Sequence, residues 1–172
     1  MFLLFVCIVS LIFMMVGFYR GFIGSVLHLS STLFGIWVAK QYYQPFSDYL
    51  RLFLPFPKTL AYDAHYVFTL HQPELRFDRV CGFIFILLIV KTMIYMVISS
   101  FGVLLTGKRP NIVSRGIGVG ISIIAAIILL HFVTYIAVLI PDTQLQTHVA
   151  ETQMGYWFVM KVPFLSQMTL HL

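Results

Sequence analysis

The sequence predicts an all-α integral membrane protein, with four transmembrane helices as two antiparallel hairpins and an interfacial amphipathic helix in the second loop. Three observations carry that expectation. Of the 172 residues, 60% are hydrophobic and 10% are charged, where a soluble domain carries about a quarter charged residues. Apolar stretches of bilayer-spanning length recur four times, and a charge, Lys91, interrupts only one of them. Proline, glycine and charge collect in the segments between those stretches. Together these exclude an ordinary soluble enzyme, a disordered chain and, with only two cysteines, a disulfide scaffold.

The first apolar run, residues 1–18, ends at Tyr19-Arg20-Gly21, and the second, 22–39, follows at once, so the two read as a tight hairpin. The first run lacks a basic leading region and a small-residue cleavage site, and is expected to be retained rather than removed as a signal peptide. Residues 40–79 form the main extramembrane loop, interrupted by Pro45, Pro55, Pro57 and Pro73. Within it Pro45 opens a short helix whose Phe46, Tyr49, Leu50, Phe53 and Leu54 share one face, with Ser47, Asp48 and Arg51 opposite. Such a helix lies flat among lipid headgroups. Tyr42, Tyr43, Tyr62, Tyr66 and Phe68 extend the same aromatic belt.

The third span covers 80–105 and the fourth 116–140, joined by a short basic turn with Gly107 and Pro110 and closed by Pro141-Asp142. A four-span membrane domain thus occupies 1–140. Residues 141–172 read as an extracytoplasmic amphipathic tail anchored by Trp157, in which Lys161 and Pro163 argue against a fifth span. Cys7 and Cys81 are read as buried free thiols, with a disulfide as the alternative.

Both short turns must face the same side, and they hold Arg20, Lys108, Arg109 and Arg115 with no acid. The positive-inside rule makes that side cytoplasmic and puts both termini outside. The loop and tail hold more Lys and Arg in total, spread over longer segments. The net charge of +5 is read as topology and contact with the lipid bilayer; no basic run exceeds Lys108-Arg109, so no nucleic acid partner is expected. The four charges form a rim suited to anionic lipid headgroups, although topology alone accounts for them.

Close contact between helices in lipid depends on small residues. Gly24, His28, Ser31, Gly35 and Ala39 fall on one face of the second span, Gly17 and Gly21 bracket the first turn, and Gly116, Gly118 and Gly120 open the fourth span. Gly17, Gly21, Gly24, Gly35, Gly116 and Gly120 are therefore the expected packing positions. A homo-oligomer through Gly116-x-x-x-Gly120 is the competing use.

Three titratable groups lie at depth. Lys91 and His131 each sit about 21 to 23 Å from the cytoplasmic ends of their spans, where they could face each other, and His28 sits at about 10 Å. An intramembrane lysine is a functional hypothesis by default, although Lys91 can also snorkel to the outer surface or simply hydrogen-bond. No carboxylate falls within the four spans. There is no Walker A loop, H-E-x-x-H or G-x-S-x-G motif. His65, His71 and Asp63 match no common zinc spacing. No catalytic residue, cofactor or metal is predicted.

The run Gly17-Phe18-Tyr19-Arg20-Gly21-Phe22, the small-residue second span, and Ala39-Lys40-Gln41-Tyr42-Tyr43-Gln44-Pro45-Phe46 resemble the start of the colicin V production protein (CvpA) family. Gly116-x-x-x-Gly120 also fits, and the order and spacing of spans is similar throughout. The chain departs from the family pattern in lacking an Asp early in the first span, and in holding Arg115 directly beside the fourth-span glycine. The resemblance implies a bacterial inner-membrane protein tied to production or export of a peptide toxin and to envelope homeostasis. It also implies that Gly17, Arg20, Gly21, Phe22, Gly116 and Gly120 are family determinants with a structural role. Two readings follow: a nonenzymatic scaffold within an envelope or export complex, or a small transporter or channel component with a polar path through Lys91, His131 and His28.

Overall fold

The computed structural model describes residues 2–53, 73–105 and 110–170. Lys108 and Arg109, and residues 54–72 of the 40–79 loop with its Leu54, Tyr62, Asp63, His65, Tyr66, Phe68 and His71, lie outside the described residues. Every regular element described is helical: α1 (Phe2–Leu50), α2 (Pro73–Leu105), α3 (Ile112–Leu139), α4 (Thr143–Ala150), α5 (Gln153–Tyr156), one π-helical turn (Trp157–Lys161) and α6 (Leu165–Leu170). Among the described residues, α1, α2 and α3 are long and apolar enough to cross a membrane.

The helix ends differ from the expected span ends. α1 runs through residue 39 and on to Leu50, carrying Pro45 inside it. The separate interfacial helix expected to open at Pro45 is instead the last turns of α1. Proline removes one backbone donor there, and packing holds the helix together across the loss. Phe46 stacks on Phe85 at 5.4 Å, and Ser47, expected on a polar face, is buried against Gly82. Tyr49 and Phe53 do remain exposed. α2 starts at Pro73, ahead of the expected residue 80, which brings the buried Asp78 within 3.5 Å of Arg51 at the end of α1.

One residue inside α1 is not helical. Gly21 has φ 70° and ψ −169°, a region open essentially to glycine alone. Residues on both sides of it meet α3: Gly17 packs against Ser122, and the Ser25 and Ser122 hydroxyls lie 3.4 Å apart. The later part of α1 pairs with α2 in the opposite direction, through His28 with Tyr95, Gly35 with Leu87, Tyr43 with Phe83 and Ser47 with Gly82.

The two ends of this assembly pack differently. Near Gly21 the contacts are made by glycine and serine, so backbones touch. At the far end large side chains fill the interior: Phe83 of α2 stacks on Phe132 of α3 at 5.4 Å, among the fully buried Val80, Leu130, Tyr135 and Leu139. The segment after α3 closes that core. Ile140 is extended, as the residue before Pro141 must be, and Asp142 caps α4 by accepting from the amides of Gln144 and Leu145. The buried Gln146 side chain donates to the carbonyls of Val138 and Ile140 at 3.0 and 3.1 Å, two of the acceptors that a helix end leaves unpaired.

Outside these contacts the long helices are apolar on every side. Leu3, Leu4, Ile8, Leu11, Met15 and Phe18 of α1, and Leu88, Met93, Met96 and Val97 of α2, are all exposed. Soluble monomers do not leave apolar surface of that extent open to water. Cys7 belongs to this outward face and Cys81 is half-buried; both are free thiols, so burial holds only in part for Cys81 and not for Cys7.

Candidate functional site

Two clusters gather most of the chemistry-bearing residues, one at each end of α3. The first is the close approach at Gly21. A Cβ placed on Gly118 would lie 2.6 Å from the Gly17 carbonyl oxygen and 2.7 Å from the Gly21 carbonyl carbon, and one placed on Gly21 would lie 2.6 Å from Pro110. The break at Gly21 leaves the amide of Phe22 without a helical partner, and it donates to the Ser114 hydroxyl at 3.0 Å. Of the basic rim, Arg20 lies over the Tyr95 ring at 5.9 Å and Arg115 over the Phe18 ring at 5.2 Å. The Arg115 Nε is buried with no hydrogen-bond partner among the described residues.

The expected packing glycines divide. Gly17, Gly21 and Gly35 meet a neighbouring helix; Gly24 meets only Arg20 of its own helix; Gly116 and Gly120 meet nothing within 4 Å. Gly118, between them, makes the contact instead. Sequence reasoning named Gly118 among the glycines that open the fourth span but chose Gly116 and Gly120 over it, and it missed Ser25, Ser122 and Gly82. The missed signal is a second small-residue ladder, Gly118-Ser122-Ala126, spaced by four and buried along its length.

The second cluster is polar and enclosed. His131 is fully buried; its Nδ1 is 2.6 Å from the Phe158 carbonyl and its Nε2 is 3.2 Å from the Thr169 hydroxyl. A carbonyl oxygen only accepts, so Nδ1 carries the proton. The Phe158 carbonyl is available for a readable reason. Its partner five residues on, in π-helical register, would be residue 163, a proline with no N–H, and Val162 before it is extended. One ring away, Tyr135 receives a hydrogen bond from Arg76 and donates one to the Thr169 carbonyl, both at 3.2 Å. His131 and Tyr135 stack with centroids 6.0 Å apart.

Of the three groups expected at depth, His131 has surroundings of its own, while His28 and Lys91 share the α1 and α2 seam, close enough for the charge of one to act on the other. His131 is engaged by the C-terminal segment at both nitrogens. His28 meets the edge of Tyr95 at 6.2 Å, on the α1 and α2 seam. Lys91 is half-buried and makes no hydrogen bond or ion pair among the described residues. No group of three or more His, Cys, Asp or Glu among the described residues is placed to hold a metal ion.

Apolar faces turned outward, backbones touching through small residues, and a polar cluster closed off from the surface define a helical membrane protein. The chain belongs to the colicin V production protein family, whose model matches residues 3–163, nearly its whole length. No curated protein and no solved structure matches it.

Proposed function

We propose that this chain is a nonenzymatic scaffold of the bacterial inner membrane that supports production or export of a colicin V type peptide toxin and envelope homeostasis. Family membership supports the toxin connection; the family is described by a production role and by no reaction. The observation that carries the scaffold reading is His131. A histidine whose two nitrogens are both spent on the chain's own tail has none left to pass a proton along a path.

In this reading the chain crosses the bilayer four times. A straight α1 would be about 73 Å long, more than twice the hydrocarbon thickness of about 30 Å, whereas a bend at Gly21 yields limbs of about 28 and 43 Å. Contacts of both limbs with α3 support the bend. Arg20, Arg115, Lys108 and Arg109 then lie on the cytoplasmic side near anionic headgroups, and both termini lie outside. The partners are the bilayer and a second copy or an envelope export complex.

The competing transporter reading makes a different prediction. Lys91→Leu in the living host leaves toxin production and envelope resistance unchanged for a scaffold, and crosslinking in intact cells captures a stoichiometric partner. Loss of function in Lys91→Leu, together with solute flux in liposomes that contain only this chain, would replace the scaffold with a conduit.

A further inference from the structure

Midway along the limb of α1 that follows Gly21, a groove of about 510 Å³ opens between α1, α3 and the C-terminal segment, within the range of about 300–1,000 Å³ that small-molecule sites occupy. Leu33, Trp37 and Lys40 line one wall, in step along one face of α1; Ile128, Trp157 and Phe164 stand opposite. The lining is apolar apart from the Lys40 ammonium at its mouth. That ammonium is exposed and makes no hydrogen bond or ion pair among the described residues. Phe164, at the rim, has φ 68°, which for a bulky aromatic residue is a genuine outlier. Strained backbone of this kind collects at ligand clamps, where the surroundings hold it.

We propose that this groove seats an acyl chain of an anionic phospholipid whose phosphate is held by Lys40. The inference rests on the bilayer placement proposed above. Charge complementarity selects the headgroup: one unpaired cation, with no carboxylate among the groove's lining residues, favours a phosphate without a compensating amine. Leu33 lies seven residues before Lys40, about 10 Å deeper along the helix, so the apolar walls continue inward from the charge as an acyl chain continues inward from its phosphate. Trp37 and Trp157 flank the opening with the amphipathic rings that favour headgroup depth. This site is distinct from the basic rim, which lies at the Gly21 end.

The chain's two tryptophans both line the groove, so its intrinsic indole fluorescence reads that site alone. The full chain is reconstituted in phosphatidylcholine vesicles containing a graded fraction of phosphatidylglycerol with brominated acyl chains, or of brominated phosphatidylcholine as the matched arm. Brominated phosphatidylglycerol should reach half-quenching at about one fifth the mole fraction, the worth of one lysine beside an anionic lipid. Lys40→Gln should remove the difference and Lys40→Arg keep it. Leu33→Phe, an exposed position that narrows the groove, should also reduce it without loss of helicity. Equal quenching by the two lipids in the wild type overturns the site, as does a preference that survives Lys40→Gln. A preference untouched by Leu33→Phe assigns the effect to surface charge and overturns the groove. Release of the chain by alkaline carbonate would instead remove the bilayer placement, so the two failures are separable.

Discussion

Gly21→Ala should destabilise the protein by about 2–6 kcal/mol, the strain of a forbidden backbone region at about 1–3 plus overpacking at about 1–3. The φ of 70° with ψ −169° excludes a side chain whatever the space available, and the space is absent too, with Pro110 at 2.6 Å from the added carbon. Unfolding in mixed micelles, followed by circular dichroism as denaturing detergent is added, measures the loss. Gly116→Ala and Gly120→Ala are the controls. Each adds the same methyl on a helix in open surroundings and should be neutral or stabilising by up to about 1 kcal/mol. A silent Gly21→Ala beside a damaging Gly116→Ala would mean that α3 presents its other face to α1.

His131→Leu should cost about 1–3 kcal/mol, because it leaves the Phe158 carbonyl buried without a donor. The damage should be local before it is global: amides of residues 153–170 lose protection from hydrogen exchange while those of α2 keep theirs. Pro163→Ala offers a direct check on the cause. It restores an N–H at the position that would serve Phe158 and frees Val162 from the extended geometry that a following proline imposes. In that background His131→Leu should cost less, and the difference is the coupling read by a double-mutant cycle. Equal costs in both backgrounds would show that the hydrogen bond is not what ties the segment to α3.

The long helices were legible because hydropathy alone sets them: an apolar run with no charge has one stable form in lipid. Their ends were not, since Pro45 reads as a start when only local propensity is weighed. Stacking of Phe46 on Phe85, nearly forty residues away, carries the helix past it. The glycines of α3 show a similar limit. Spacing by four fixes which residues share a face, yet Gly116-x-x-x-Gly120 and Gly118-x-x-x-Ser122 satisfy the same rule on two faces, and only the partner's position chooses between them. The C-terminal segment was the least legible part. Its short helices are held by His131, Tyr135 and Gln146, polar residues whose partners include backbone atoms up to 34 residues away, and no local pattern announces such pairings.

The Phe22 amide and the Ser114 hydroxyl that receives it are 92 residues apart in the chain. On the ribosome the joint between the first two apolar segments is therefore made long before the atom that finishes it exists. The N-terminal third reaches the membrane with an open seam, and only translation of α3 shuts it. A nascent chain halted before Ser114 carries that seam exposed, with the Phe22 amide still waiting for its acceptor.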